Sequence, residues 1–98
     1  MTITTSTSGN EHKITIQGRF DFLGQSEFRT AYEKVPSSSH FIIDFSKADY
    51  MDSSALGMLL LLRDYAGEDK ANILLTGCCS EIKNILEISN FHQLFTIS

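Results

Sequence analysis

The sequence has no tryptophan, one proline and two cysteines, and its basic residues are few. Eight Lys and Arg residues, scattered singly, face twelve Asp and Glu, which gives a formal net charge of −4. Binding to the nucleic-acid backbone needs clustered positive charge, so we expect no direct nucleic-acid partner. No apolar run approaches the ~18 residues of a membrane span, and the N-terminus lacks the basic and apolar regions of a secretory signal. We therefore expect a soluble cytoplasmic protein.

The cysteines and histidines show no pattern of a redox or metal site. Cys78 and Cys79 are adjacent, and neighbouring cysteines rarely form a disulfide because their Cβ atoms point in different directions. We expect both to be small buried residues that stay reduced. His12, His40 and His92 lack the spacing of metal ligands. The sequence therefore predicts no metal and no cofactor, with each histidine at the surface or at a strand end.

The apolar residues that are present, 42% of 98, suffice for one hydrophobic core. We therefore expect a single domain, residues 1–98. Polar and apolar residues alternate over residues 3–5 and 12–17, and the residues at 8–10 favour a turn. This arrangement predicts a β-hairpin at the start of the chain.

Two continuous apolar runs, residues 40–45 and 71–76, are typical of central strands covered on both faces. Helical spacing of apolar residues occurs before, between and after these runs. The predicted helices are 28–35, ended by Pro36; 53–66, stopped by Gly67; and one from about Ser80, which we expect to act as its cap, with Ile82, Ile85, Leu86 and Ser89 on one face.

A short strand over part of residues 91–97 completes the predicted order β-β-α-β-α-β-α-β. This order predicts an α/β fold with a mixed central sheet covered by helices and right-handed crossovers. Functional groups in such sheets gather outside the carboxyl ends of the parallel strands. Residues 18–21 and 44–53 are therefore expected at the functional edge.

Two serines occupy the first turn of the second predicted helix. Ser53 and Ser54 lie where backbone N–H groups lack partners within the helix and where the helix dipole favours an anion. A serine at this position is either a helix cap or an acceptor of a phosphate group. Asp52 either caps the helix through a backbone N–H or positions a serine for modification.

Three segments, in order, resemble the STAS domain, a family shared by sulfate transporters and bacterial anti-sigma factor antagonists. The segment at 52–57, Asp-Ser-Ser-Ala-Leu-Gly, resembles the family's D-S-S-G-L-G after a strand that ends in D-[LF]-S. The segment at 18–21 is similar to the family's G-x-[LF]-D, and 82–86 is similar to its later helix. The resemblance covers nearly the whole chain and implies a stand-alone STAS domain.

The resemblance implies a switch between partners. The first serine after the motif aspartate, here Ser53, is the phosphorylation site of such antagonists, and the adjacent Ser54 is the rival acceptor. The unphosphorylated antagonist captures an anti-sigma factor that also acts as a serine kinase, and the phosphorylated form is released until a serine phosphatase resets it. The chain is then not an enzyme, has no catalytic residues, and is a monomer or a weak dimer.

The resemblance, together with the charge that a phosphate adds at a helix start, also predicts the residues around the proposed phosphate. We expect the backbone N–H groups of residues 54–57 to receive the phosphate. Nearby carboxylates oppose the added charge, which is about −1.5 to −2. Ala55 stands where the family has glycine, and we expect helical geometry there. The predicted neighbours are Asp21, Asp49, Asp52, Ala55, Leu56 and Gly57.

Five consecutive apolar residues, 58–62, lie all round the same helix. A helix packed by one side on a sheet does not need apolar residues on every side. We expect Leu56, Leu59 and Leu60 to face the core. The remaining residues form a predicted exposed patch that binds the partner, unless neighbouring helices cover them: Met58, Leu61 and Leu62.

Other functional classes have weaker support in the sequence. A phosphocarrier would use a histidine, but no motif accompanies any of the three. Hydrolytic catalysis needs a nucleophile with a base, and no histidine accompanies Ser53 in such an arrangement. A ligand-binding or scaffold STAS module that is never phosphorylated is the remaining alternative.

Overall fold

The computed structural model describes residues 1–98. It contains five strands and three α-helices, with three short 3₁₀ turns at Phe22–Gly24, Glu68–Lys70 and Phe91–Gln93. The order is the predicted one, which confirms the α/β fold. The elements are β1 (Thr2–Ser8), β2 (Glu11–Phe20), α1 (Gln25–Tyr32), β3 (His40–Met51), α2 (Ser53–Tyr65), β4 (Asn72–Thr76), α3 (Ser80–Ile88) and β5 (Thr96–Ile97).

All five strands form one sheet in the order β1-β2-β3-β4-β5. Strands β1 and β2 are antiparallel and pair from Thr2 with Gln17 to Ser8 with Glu11, so the predicted hairpin is confirmed with a two-residue turn. The remaining neighbours are parallel. Strands β2 to β5 therefore end at the same edge of the sheet.

The helices cover one face of the sheet. Along β3 the side chains of Phe41, Ile43 and Phe45 are fully buried, whereas Ile42 and, on β4, Leu74 are partly exposed. The expectation that the central strands are covered on both faces is therefore wrong. Each crossover steps in the same direction across the sheet, so crossovers of one hand place their helices on the same side.

Aromatic side chains form much of the core beneath the helices. Phe20, at the end of β2, packs against Phe28 of α1 and Phe45 of β3, with ring centroids 5.1 and 5.7 Å apart. All three side chains are buried, and full burial of such a side chain contributes about 1.5–3 kcal/mol. The carboxyl end of β2 is thereby fixed against the core.

Element boundaries differ from the predicted ones by a few residues. Helix α1 begins earlier and ends at Tyr32, while α2 ends one residue before the predicted Ala66. Helix α3 begins at Ser80 itself, so the expected Ser80 cap is wrong. The preceding residue, Cys79, is at the N-cap position and its side chain accepts no hydrogen bond from the helix.

The environments of the cysteines also differ from expectation, and one histidine, near the start of its strand, is buried. Both thiols are free, but Cys79 is exposed, while Cys78 is half-buried and burial raises the pKa of its thiol. His12 is buried because it occupies an inward position of β2. Its Nε2 donates to the carbonyl of Ala31 (2.7 Å), and its Nδ1 lies 2.8 Å from the Thr7 hydroxyl. These bonds satisfy the ring in the interior.

Candidate functional site

The two segments expected at the functional edge meet where β2 and β3 end. The last paired residues are Phe20 and Met51. Asp21 and Asp52 follow these residues directly, so two carboxylates leave adjacent strand ends together. Helix α2 starts immediately afterwards, at Ser53.

Irregular pairing between β2 and β3 shapes this edge. Gly18 pairs with Ala48 but Arg19 pairs with Tyr50, so Asp49 is an extra residue on β3. Gly18 has φ +87°, a backbone conformation that favours glycine. Bulges of this kind redirect neighbouring side chains. The predicted neighbour Asp49 is exposed on the bulge and takes part in no ion pair.

Arg19 lies over this edge. Its guanidinium carbon is 4.0 Å from the centroid of the Tyr50 ring, and its Nε is 3.6 Å from Oδ2 of Asp21. A guanidinium over an aromatic face is favourable because the ring face is electron-rich. Arg19 thus connects the end of β2 to the end of β3.

Asp52 caps α2. Its Oδ1 accepts hydrogen bonds from the backbone N–H groups of Ser54 (3.0 Å) and Ala55 (3.2 Å) and from the Ser54 hydroxyl (2.5 Å). The Ser54 hydroxyl and these N–H groups, with the charge of Arg19, hold the pKa of the Asp52 carboxyl below its ordinary value. Of the roles left open for this residue, the structure shows the cap.

The two candidate serines differ in their surroundings. Ser53 is the first residue of α2, is exposed, and has no side-chain hydrogen bond within the chain. Ser54 is half-buried and its hydroxyl is bound to Asp52. The hydroxyl of Ser53 is therefore free to react, and that of Ser54 is held against a carboxylate.

The expectation that the first turn offers its N–H groups to a phosphate is wrong for Ser54 and Ala55. The Asp52 carboxylate already accepts both. Ala55 is helical, as expected, and its side chain is fully buried. Leu56 is half-buried and Gly57 is exposed, so these two line the turn without supplying a charged or hydroxyl group.

Two exposed apolar residues at the same sheet edge were not predicted. The Asp21 carboxylate accepts a hydrogen bond from the N–H of Leu23 (3.1 Å) and so caps the 3₁₀ turn that follows β2. That turn presents Phe22, 62% exposed, and Leu23, 91% exposed. The available signal was their position directly after the segment at 18–21, with no apolar partner at helical spacing.

The predicted docking patch on α2 is wrong at Met58 and Leu62, which are buried. The face of α2 toward the core follows an i, i+3, i+4, i+7 series that starts at a small residue: Ala55, Met58, Leu59 and Leu62. Leu61 is 51% exposed, as predicted, and Leu60, predicted as core, is 38% exposed. The helix is therefore rotated relative to the predicted phase.

An open groove of about 600 Å³ lies between α1 and α2. Its wall includes Phe28, Tyr32, Met58, Leu61 and Tyr65, but no residue of the 52–57 segment. No three His, Cys, Asp or Glu side chains are grouped as metal ligands would be. None of the helices, of which the 13-residue α2 is the longest, has the length and apolar character to cross a membrane.

Comparison with known proteins assigns the family. The family model described as Mlab, STAS domain (STAS_2) matches residues 3–96. The chain therefore belongs to the STAS-domain family. The STAS-domain containing protein PA14_20770 of Pseudomonas aeruginosa (strain UCBPP-PA14) is 54% identical over 94 residues, which are 95% of this chain and 93% of that protein.

Solved structures of anti-sigma factor antagonists share the fold. An antagonist from Mycobacterium paratuberculosis has a TM-score of 0.82 at 12% identity, over 98% of this chain and 83% of that one. The antagonist SpoIIAA in its unphosphorylated form has a TM-score of 0.72 at 14% identity, over 99% and 87% of the two chains. The phosphorylated Bacillus SpoIIAA gives 0.69 at 14% identity, over 99% and 91%. At these identities the likeness concerns the fold.

Proposed function

We propose that this STAS domain is an anti-sigma factor antagonist controlled by phosphorylation of Ser53. In this proposal the unphosphorylated chain binds an anti-sigma factor that is also a serine kinase. Phosphorylation releases that partner, and a serine phosphatase restores the binding form.

The observation that carries the proposal is the difference between the two serines of the first turn. The Ser53 hydroxyl is exposed and unbonded at a strand-to-helix junction, whereas the Ser54 hydroxyl donates to Asp52. A kinase needs the acceptor hydroxyl to enter its own active site, which favours Ser53. The cap at Asp52 holds the backbone of this turn in place while its first side chain stays free.

The sheet edge that carries Ser53 suits a reversible interface. Phe22 and Leu23 are exposed on a turn that Asp21 caps, directly after the end of β2, and β2 ends beside β3. Exposed apolar side chains of this kind contribute to partner binding by their burial. Of the patch predicted on α2, Leu61 is the residue that can still contribute, since Met58 and Leu62 belong to the core.

Phosphorylation would act on this surface through charge. A phosphoserine adds about −1.5 to −2 near neutral pH, beside the carboxylates of Asp21 and Asp52. A partner that covered the turn would have to desolvate the phosphate or bring a cation to it. The fold itself keeps its core and its helix cap, so release follows from the altered surface.

Affinity capture followed by titration tests the proposal. The parent chain, Ser53→Ala and a chain carrying phosphoserine at position 53 serve as baits, and mass spectrometry identifies what each retains. We expect the first two to hold the same anti-sigma factor, and phosphoserine to weaken its affinity about 100-fold or more, which corresponds to about 2.8 kcal/mol. Ser53→Asp should weaken binding less, because one carboxylate supplies less charge than a phosphate.

Ser80 offers a matched control, because it is also an exposed serine at the first position of a helix. Phosphoserine at position 80 should leave the affinity for the partner unchanged. Equal binding by the parent chain and the phosphoserine-53 chain would refute the proposal. Retention of a nucleotide or another small ligand in place of an anti-sigma factor would instead support the ligand-binding alternative.

A further inference from the structure

Arg19 is a cation placed among the acidic groups of this edge without a strong partner of its own. Its side chain is 63% exposed, and its contact with Asp21, at 3.6 Å, is a surface ion pair. Such pairs contribute little because solvent screens them. The guanidinium also rests on the Tyr50 ring, on the strand that leads into Ser53. It is therefore free to move toward a stronger anion.

A phosphate on Ser53 would find two of the N–H groups in its own turn already occupied. The N–H groups of Ser54 and Ala55 are bound to the Asp52 carboxylate, so they are not available to the phosphate oxygens. That same carboxylate is on the residue next to Ser53. A phosphate beside a carboxylate is stabilised when a cation approaches both.

We propose that Arg19 is the intramolecular counter-ion of phosphorylated Ser53, and that its guanidinium leaves Asp21 and the Tyr50 ring to bind the phosphate. This inference rests on the proposed phosphorylation of Ser53. It makes Arg19 a positioning residue of the phosphorylated state. The exchange is favourable because a phosphate offers more charge and more acceptor oxygens than a carboxylate, in a geometry that a guanidinium matches.

The placement of Arg19 supports this assignment. The bulge that makes Asp49 an extra residue pairs Arg19 with Tyr50, three residues before Ser53. The Ser54 hydroxyl is the largest cause that lowers the pKa of Asp52, the neighbour of Ser53, and the charge of Arg19 is a smaller one. Arg19 is thus within electrostatic reach of the start of α2.

Movement of Arg19 would also alter the surface that a partner meets. Asp21 would lose its cation while it still caps the turn that carries Phe22 and Leu23. The face of the Tyr50 ring would be uncovered. Phosphorylation of one hydroxyl would therefore change charge on both strand ends.

The test uses the full chain with phosphoserine installed at position 53 by an expanded genetic code, so that no kinase is needed. The second pKa of the phosphate, about 6 in a free phosphoserine, is measured by ³¹P NMR titration. We expect Arg19→Gln to raise it by about 0.5 to 1 relative to the parent, because the neighbouring cation favours the dianion. Arg19→Lys should restore part of the difference, since it keeps the charge but not the planar fork.

Arg29→Gln is the control for a change of net charge. Arg29 lies on α1 and pairs with Glu33 at 3.4 Å, so its loss should leave the phosphate pKa unchanged. A second measurement, the NMR signal of the Arg19 side chain, uses only the parent chain and so does not depend on the folding of a variant. The guanidinium of Arg19 lies over the Tyr50 ring. The NMR chemical shift of its Nε–H should therefore change when Ser53 carries the phosphate and the guanidinium leaves the ring.

Equal phosphate titration in the parent and Arg19→Gln, or an Nε–H resonance that phosphorylation does not move, would overturn the inference. Partner affinity is measured separately. A phosphate pKa that depends on Arg19, in a chain whose phosphorylated form still holds the anti-sigma factor, would support this inference and refute the proposed function. If phosphorylation releases the partner but the phosphate pKa does not depend on Arg19, the proposed function would be supported and this inference refuted.

Discussion

The first turns of α2 and α3 both begin with a serine, but only the first turn of α2 has a side-chain cap. Each follows a parallel strand and begins with an exposed serine, Ser53 in one and Ser80 in the other. Before Ser53 stands Asp52, which makes three hydrogen bonds to the turn, whereas Cys79 makes none as a cap. A serine at the start of a helix is therefore no site by itself. What distinguishes Ser53 is the cap before it and, at the same sheet edge, a cation and exposed apolar residues.

The connection before α3 has no side-chain cap, and its backbone at Gly77 packs closely against the backbone of β3 at Ser46. Gly77 has φ +74°, and a Cβ there would lie 2.8 Å from the backbone nitrogen of Ser46 and 3.0 Å from Oδ1 of Asp44. The Asp44 carboxylate in turn accepts a hydrogen bond from the N–H of Ser46 (2.9 Å). This packing leaves no room for a side chain.

Gly77→Ala should therefore cause the largest loss of stability among the variants of these two connections. Strain at a positive φ costs about 1 kcal/mol or more, and the clash with fixed backbone adds to it, so we expect a loss of about 3 kcal/mol. Urea denaturation measures it. Gly57→Ala is the matched control, because Gly57 is helical with open space at its Cβ and alanine favours a helix. Equal stability of Gly77→Ala and the parent would show that the close approach is not required.

Asp52→Ala removes the cap of α2 and so makes the start of this helix similar to the uncapped start of α3. We expect a loss of about 1–2 kcal/mol at neutral pH, and Asp52→Asn should retain most of the stability because asparagine is also a good cap. Thermal and urea unfolding measure both.

The effect of Asp52→Ala should also depend on pH. The Ser54 hydroxyl and the two backbone N–H groups hold the pKa of Asp52 below its ordinary value of 3.8. A lowered pKa stabilises the fold above the unfolded-state value, and that contribution disappears as the pH falls through the folded-state value. The difference between parent and Asp52→Ala should therefore narrow below about pH 3.8. A difference that stays constant with pH would assign the effect to packing.

Local features of the sequence predicted the order of the elements and the place of the candidate site. The order of strands and helices followed from hydrophobic spacing and from breakers such as Gly67, and the placement of Ser53 at the start of α2 followed from the change from strand to helix. These signals depend on neighbours in the chain. The phase of α2 was mistaken because its buried face begins at Ala55, a residue too small to mark a core position by itself.

Features that depend on distant pairing could not be predicted. The position of Arg19 over Tyr50 depends on a bulge between β2 and β3. A glycine such as Gly18 can mark an irregularity in a strand, but it does not specify which residues pair across it. The uncovered face of the sheet depends on the direction in which every crossover steps. The position of Phe22 and Leu23 after the segment at 18–21 is visible in the sequence, but their exposure depends on what packs near them in the tertiary structure.

An aspartate at position 79 would give α3 the same kind of cap as α2, and we expect it to have the smallest effect on stability of these variants. Cys79 has φ −69° and ψ 167°, an extended backbone like that of Asp52 at φ −116° and ψ −178°. Cys79→Asp should therefore accept N–H groups of the first turn of α3 and stabilise the domain by about 0.5–1 kcal/mol. Cys79 is exposed, so the carboxylate incurs little desolvation. Cys79→Ala, which adds no acceptor, should change the stability little, and an equal response of both variants in urea denaturation would show that backbone geometry alone does not suffice for a cap.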